Sequence, residues 1–418
     1  MKKSVLILTI LIYCLTAVAQ TSSQKIVAGR KNNAVHIKKP YIVIISADGF
    51  RSDYATKYQA KNLLQLAAEG VEAAYMIPSF PSVTRPNHFA MMSGLYPAHS
   101  GIVANGFYDA NRKEKWVDND ATFIKTEPIW ITAEKNNLLT ASMLWPNAII
   151  PIQGVLPTYN YDKPKKGEPT LSSDDRVNAL KNWLQMPEET RPHFISIYLG
   201  QADHAGHEHG PESAEVIEAV RSVDHTVGEL AAVAKASGLP VNFIFVSDHG
   251  MKDVDLENPI EIPELLQDKN RFIYVNAQTL FRVTVKDESE VQQVYRELKK
   301  NKTEGYKVYL TENFPKNLHY STADDRFDRI GQILLVPDAP KVFLEPNSKK
   351  TPGKHGYNPY KVPEMKSTFV ASGPAFKKGK KIGQFRNVNI YPMIAEILGL
   401  KITEPIDGKN CTAKKVLK

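Results

Sequence analysis

The chain has 418 residues, a formal net charge of +8 from 53 Lys and Arg against 45 Asp and Glu, and two cysteines. Its lysines are scattered apart from Lys377-Lys378-Gly379-Lys380-Lys381, a solvated loop rather than a basic stripe, so no stable nucleic-acid partner is expected. The length exceeds one ordinary domain, but large α/β sheets absorb such lengths with insertions, and no internal repeat or low-complexity tract divides the chain.

Lys2 and Lys3 precede an uncharged run from Ser4 to Ala19 that ends in Ala17-Val18-Ala19. The run is too short for a comfortable membrane span and has the layout of a secretory signal peptide, so residues 1–19 are expected to be removed. The remaining chain, residues 20–418, would keep about six net positive charges by formal counting. Cys411 would be its one thiol, which excludes an internal disulfide. The expected location is periplasmic or secreted, with no transmembrane segment after cleavage. A lipid anchor on Cys14 is the rival reading, against which stands the bulky Tyr13 where a small residue is expected.

Next along the chain come three short apolar runs, each ending in acidic or histidine residues: Tyr41 to Ser46 before Asp48, Phe194 to Leu199 before Asp203, and Phe243 to Ser247 before Asp248-His249. Near-continuous apolar runs read as parallel strands buried on both faces. Helical spacing separates them, in Val177, Leu180 and Leu184 and then in Val216, Val220, Val223, Val227 and Leu230. The alternation predicts a doubly wound α/β fold, a mostly parallel central sheet with helices on both faces, whose ligands sit outside the carboxyl ends of the strands. From about residue 270 to 345 the texture changes to four strand-like runs, Phe272 to Val275, Phe281 to Val285, Tyr306 to Leu310 and Ile333 to Val336. Val291, Val294, Tyr295 and Leu298 mark one helix among them, so the stretch reads as a small α+β insertion. The chain then rejoins the sheet through Ser367 to Ala371 and a closing helix near Tyr391 to Leu398.

Thr84 stands two residues before Pro86, which suits the first turn of a helix. A helix N-terminus favours phosphate, and it equally accommodates a threonine that is merely an N-cap. As a nucleophile the hydroxyl would need activation. Asp203 and His207, four apart, can reach one metal from a single turn, and Asp248-His249 offers an oxygen and a nitrogen side by side. Mixed carboxylate and imidazole sets suit zinc, but spacing leaves open which residues share an ion. His88, His99, His204, His209 and His225 are expected to be bystanders.

The series Ala47-Asp48-Gly49, Thr84-Arg85-Pro86-Asn87-His88, Ser93-Gly94-Leu95-Tyr96-Pro97, Gly101-Ile102, Asn105-Gly106, Trp145-Pro146, Asp203-His204-Ala205-Gly206-His207, Ser247-Asp248-His249-Gly250-Met251 and His355-Gly356-Tyr357 resembles the nucleotide pyrophosphatase/phosphodiesterase family of the alkaline phosphatase superfamily, in order and approximate spacing over about residues 40 to 400. The resemblance implies two zinc ions per chain. Asp203, His207 and His355 would bind one, and Asp48, Asp248, His249 and the Thr84 oxygen the other. It further implies Thr84 as nucleophile and Asn105 as a donor to the phosphoryl group, aided by the Arg85 backbone N–H, in an alkaline phosphatase-like catalytic domain. The substrate would be a small phosphodiester or nucleotide.

Two departures from the family pattern stand out. Arg85 occupies the place of a base-stacking aromatic and would instead meet a second phosphate or a carboxylate, and Asn147 replaces a common glycine. Tyr159 and Tyr161 lie where another substrate-stacking aromatic is often found. A phosphate monoesterase of the same superfamily is the rival enzyme reading, because an extra cation at Arg85 suits a dianion. The reading from another class is an exported binding protein without turnover.

Overall fold

Residues 24–116, 120–161 and 170–418 are described in the computed structural model. The expected leader and Cys14 lie outside them. Strand β1 is Gln24–Ile26, β2 Tyr41–Ala47, β3 Val71–Ala73, β4 Thr140–Met143, β5 Tyr159–Tyr161, β6 Phe194–Leu199, β7 Val241–Val246, β8 Phe369–Ser372 and β9 Lys380–Ile382. They form a nine-stranded sheet in the order β1-β5-β4-β6-β2-β7-β8-β3-β9. The run from β5 to β7 is parallel throughout, whereas β1 and β8 add antiparallel pairings toward the edges. Every residue of β2 is buried, as expected of a central strand covered on both sides.

Alternate residues of β2 feed two separate cores. Ile42 and Ile44 face one side, with Phe89, Met91 and Met92 of helix α2 (Thr84–Ser93). Val43 and Ile45 face the other, with Leu63 of α1 (Lys61–Glu69), Leu180 and Trp183 of α3 (Ser173–Gln185), and Val220, Val223, Val227 and Leu230 of α5 (Ala214–Ala236). Helix α4 (Gln201–His209) follows β6 directly, and the closing helix α6 (Ile390–Leu398) returns to the Ile42 side. Each wholly buried side chain of this kind contributes roughly 1.5–3 kcal/mol relative to an exposed one. The two-sided core holds the strand ends at fixed positions.

The texture change after Phe272 corresponds to a separate four-stranded antiparallel sheet of Phe272–Asn276, Phe281–Val285, Ile333–Pro337 and Tyr306–Leu310. Helix Val291–Asn301 covers it through Val294 and Leu298, and the unit has its own core.

Candidate active site

Because β6, β2 and β7 are parallel and in register, their carboxyl ends open together. Asp48, Asp203 and Asp248 converge there. Gly49, at φ +66°, makes the turn after β2, and a Cβ on it would lie 2.9 Å from the Asp203 Cα, so glycine permits the two backbones to approach. The Gly49 N–H donates to Asp248 Oδ1 at 3.1 Å.

Asp48 Oδ1, Asp203 Oδ1 and Asp248 Oδ2 are buried and lack hydrogen-bond partners among the described residues. A buried acceptor left unmatched costs about 1–3 kcal/mol, more when charged, so three in one cluster call for a counter-charge. Burial, with Asp248 and Asp203 alongside, pushes the Asp48 carboxyl well above the usual carboxylate range. Burial also raises Asp203. Asp248 goes the other way: burial would raise it, but His249 and His88 beside it hold it low.

Three imidazoles face these carboxylates with fixed tautomers. Nδ1 of His207 is 2.8 Å from the Gly353 carbonyl, Nδ1 of His249 is 2.9 Å from that of Gly250, and Nδ1 of His355 is 3.0 Å from that of Ser82. A carbonyl only accepts, so Nδ1 carries a proton and Nε2 faces inward, where the neutral ring offers a lone pair. His207 Nε2 stands 3.1 Å from His355 Nε2, 3.4 Å from Asp203 Oδ1, and His355 Nε2 is 3.6 Å from the same oxygen. His249 Nε2 lies 3.0 Å from Asp248 Oδ2 and 3.3 Å from Asp48 Oδ1. Burial beside His249 and His207 keeps His355 well below the ordinary histidine range. Inward lone pairs among unmatched carboxylates are a donor set for cations, and the mixture of N and O suits zinc. The ligand atoms of Asp48, Asp248 and His249 lie within 4.8 Å of one another, as do those of Asp203, His249 and His355.

Thr84 opens helix α2, whose N-cap is Val83 with no side-chain cap bond, so the threonine is not the cap. Its hydroxyl lies 3.3 Å from His249 Nε2. Asn105 is exposed beside it, and Asn105 Oδ1 accepts the Arg85 N–H at 2.9 Å. The N–H expected to reach the phosphoryl group is thereby engaged on Asn105, leaving the Asn105 amide N–H groups available. Tyr159 and Tyr161 are not brought to Thr84 by any described contact. Tyr159 is only 6% exposed and donates its hydroxyl to the Thr190 carbonyl at 2.8 Å, and both rings pack on Trp183. A buried, pinned ring offers no face to a base, which corrects the expectation for Tyr159; Tyr161 keeps a partly open one.

The structure adds two residues. Tyr198 donates its hydroxyl to Asp48 Oδ2 at 2.6 Å. His88, expected to be a bystander, is wholly buried between Trp145 and Tyr198, with Nε2 2.9 Å from Ser46 Oγ and Nδ1 donating to the Thr84 carbonyl at 2.9 Å while lying 3.4 Å from Asp248 Oδ2. Its Nδ1 thus ties the first turn of α2 at Thr84 to the floor of the site.

The sequence pattern described as "Type I phosphodiesterase / nucleotide pyrophosphatase" matches residues 42–358. The chain belongs to this family. As a member of it the chain is an enzyme. It is 32% identical over 92% of its length to an uncharacterised pyrophosphatase/phosphodiesterase of Schizosaccharomyces pombe, spanning 81% of that protein. It is likewise 32% identical over 91% of its length to ectonucleotide pyrophosphatase/phosphodiesterase family member 1 of Mus musculus, of which it spans 43%. Among solved structures, an inactive murine ectonucleotide pyrophosphatase/phosphodiesterase 5 in complex with AMP superposes with a TM-score of 0.81 and 26% identity, covering 90% of this chain and 100% of that one.

Within this type I phosphodiesterase the two sequence departures meet. Arg85 Nη1 lies 3.4 Å from Asn147 Oδ1, and the guanidinium sits 5.0 Å from the Trp116 ring centroid. Asn147 has φ +68°, a left-handed conformation that asparagine tolerates better than most side chains and that explains why glycine serves elsewhere.

Proposed function

We propose that this enzyme hydrolyses phosphodiester or pyrophosphate bonds of nucleotide-type substrates, with Thr84 as nucleophile and a covalent phosphothreonine intermediate. The observation that carries the reading is the Thr84 hydroxyl at the start of α2, 3.3 Å from His249 Nε2 and beside three unmatched buried carboxylate oxygens. The family match and the AMP complex of the murine relative support the substrate class.

Asp203, His207 and His355 would hold one zinc, and Asp48, Asp248 and His249 with the Thr84 oxygen the other. Bound there, the two ions supply Lewis acidity, favouring the alkoxide form of Thr84 and neutralising charge on the leaving oxygen. Thr84 Oγ1 attacks phosphorus in line and the leaving oxygen departs on the opposite side. The Asn105 amide N–H, oriented by the Arg85 N–H on its Oδ1, donates to a non-bridging oxygen, where negative charge grows. Water then attacks the phosphothreonine and restores the hydroxyl.

Arg85 is held on Trp116 and Asn147, an observation that favours diesters over monoester dianions at the reacting centre. Export by the N-terminal leader belongs to the same reading, and no helix among the described residues is long and apolar enough to cross a membrane.

The test compares wild type and Thr84→Ala on the p-nitrophenyl ester of thymidine 5′-monophosphate. Wild type is expected to turn it over, and the variant to lose several orders of magnitude in kcat while keeping its metal. Near-normal turnover by the variant would make a water the nucleophile.

A further inference from the structure

A cavity of about 340 Å³ opens beside His207 and His355, walled by Asn105, Lys354 and the turn that joins the first two strands of the insertion, 276–279. No carboxylate is among its lining residues. The turn is rigid: Asn276 Oδ1 accepts the Gln278 N–H at 2.8 Å, and the Thr279 hydroxyl donates to the His355 carbonyl at 2.8 Å. Gly356, at φ +109°, makes this contact possible, since a Cβ there would fall 2.2 Å from Thr279 Oγ1.

Lys354 enters from the two-residue ladder Gly353–Lys354 with Lys252–Asp253. Its ammonium has no ion-pair partner among the described residues. The carboxylates whose field reaches it are Asp203 and Glu208. Asp203 faces the histidine cluster, and Glu208 is paired with Lys349 at 2.6 Å. The cavity therefore carries an uncommitted cation, shares its lining with Gln278 and has no carboxylate among its lining residues.

The cavity borders His207 and His355, which in the proposed function would hold the ion that does not take the Thr84 oxygen, while the Thr84 hydroxyl itself lies against His249; in-line displacement would then deliver the leaving group to this cavity. We infer that Lys354 and the 276–279 turn form a subsite for an anionic leaving group, the second phosphate of a pyrophosphate bond, and so bias the enzyme toward nucleoside triphosphates and related anhydrides. This inference rests on the proposed phosphodiester chemistry. The step is the same as above: the bond from phosphorus to Thr84 Oγ forms, and the bond to the bridging oxygen breaks. Pyrophosphate leaves with that electron pair, its charge met by the Lys354 ammonium, and water later releases the nucleoside monophosphate.

The experiment uses zinc-loaded full chain and two substrates with one nucleotidyl group, thymidine 5′-triphosphate and the p-nitrophenyl ester of thymidine 5′-monophosphate. Lys354→Gln is expected to lower kcat/KM for the triphosphate at least about tenfold more than for the aryl ester, the size expected of a charge-assisted hydrogen bond. Calorimetric titration with inorganic pyrophosphate should show a matching loss of affinity, and Lys354→Arg should recover most of both. Elemental analysis should find zinc unchanged in each variant. Equal losses on both substrates, or undiminished pyrophosphate affinity, overturn the inference. Wild type inactive on both substrates would instead overturn the phosphodiesterase reading itself.

Discussion

The Tyr198 hydroxyl stands 2.6 Å from Asp48 Oδ2, and this bond orients a carboxylate whose other oxygen faces the histidine cluster unmatched. The ring also packs against His88, whose Nδ1 bonds the Thr84 carbonyl, so the tyrosine touches both the Asp48 carboxylate and the support of the Thr84 turn. Tyr198→Phe is expected to keep the fold and weaken metal affinity roughly 10–100-fold, as removal of an outer hydrogen bond on a ligand does. Competition with a metal-binding dye measures it. Unaltered affinity with only a lower Tm would reduce Tyr198 to a packing residue.

Purified protein is expected to contain about two zinc ions per chain, since the six Asp and His donors divide into two sets of three. Elemental analysis decides the number. Chelation should abolish turnover and added zinc restore it; one ion per fully active chain would dismiss the two-ion assignment.

Asn105→Ala should lower kcat by about 10²–10³, the cost typical of losing one donor to a developing oxyanion. Its orientation is set by the Arg85 N–H on Oδ1, so the amide N–H groups have a fixed direction before substrate arrives. KM should move much less. A change confined to KM would place Asn105 in ground-state binding alone.

His99 lies away from the cluster, its Nδ1 2.8 Å from Asp407 Oδ2 and its Nε2 3.3 Å from Asp324 Oδ1. Burial opposes its protonation, but the hydrogen bond and charge of Asp407 outweigh that and raise the imidazole above its ordinary value. With the folded value above the unfolded one, the contribution to stability is complete below about pH 6.5 and is lost as pH rises through the folded value. The Tm deficit of His99→Gln should thus be larger near about pH 5.5 than near about pH 8.5. A deficit that grows with pH would contradict the pairing.

The sequence disclosed what repeats at a short period. Phe194–Leu199 is the strand that its apolar run predicted, and Val216 through Leu230 fall on one buried face of α5. Asp203 and His207 were legible as a pair because four residues make one helical turn. His355 was not, because its place depends on a two-residue ladder, Gly353–Lys354, that no propensity marks. Gly353 lets that ladder press onto α4, where a Cβ would fall 2.0 Å from the Gly206 carbonyl. Tyr198 hid inside an apolar strand, where tyrosine reads as core. The visible hint was its phase with Ser196, two polar residues on one side of a buried strand. His88 reads as a bystander in the sequence, since helical spacing alone does not reveal that its ring folds inward between Trp145 and Tyr198.

The donors of the cluster come from chain positions as far apart as Asp48 and His355, and no short segment contains both complete sets. An unfolded chain therefore offers no comparable site, and binding selects the folded form alone. By mass action, an ion present at 100 times its dissociation constant would add about 2.7 kcal/mol to the folding equilibrium, and at 1,000 times about 4.1 kcal/mol. The melting temperature of this protein would then report the free metal concentration of its surroundings, and a chain short of metal would be the one first exposed to proteolysis.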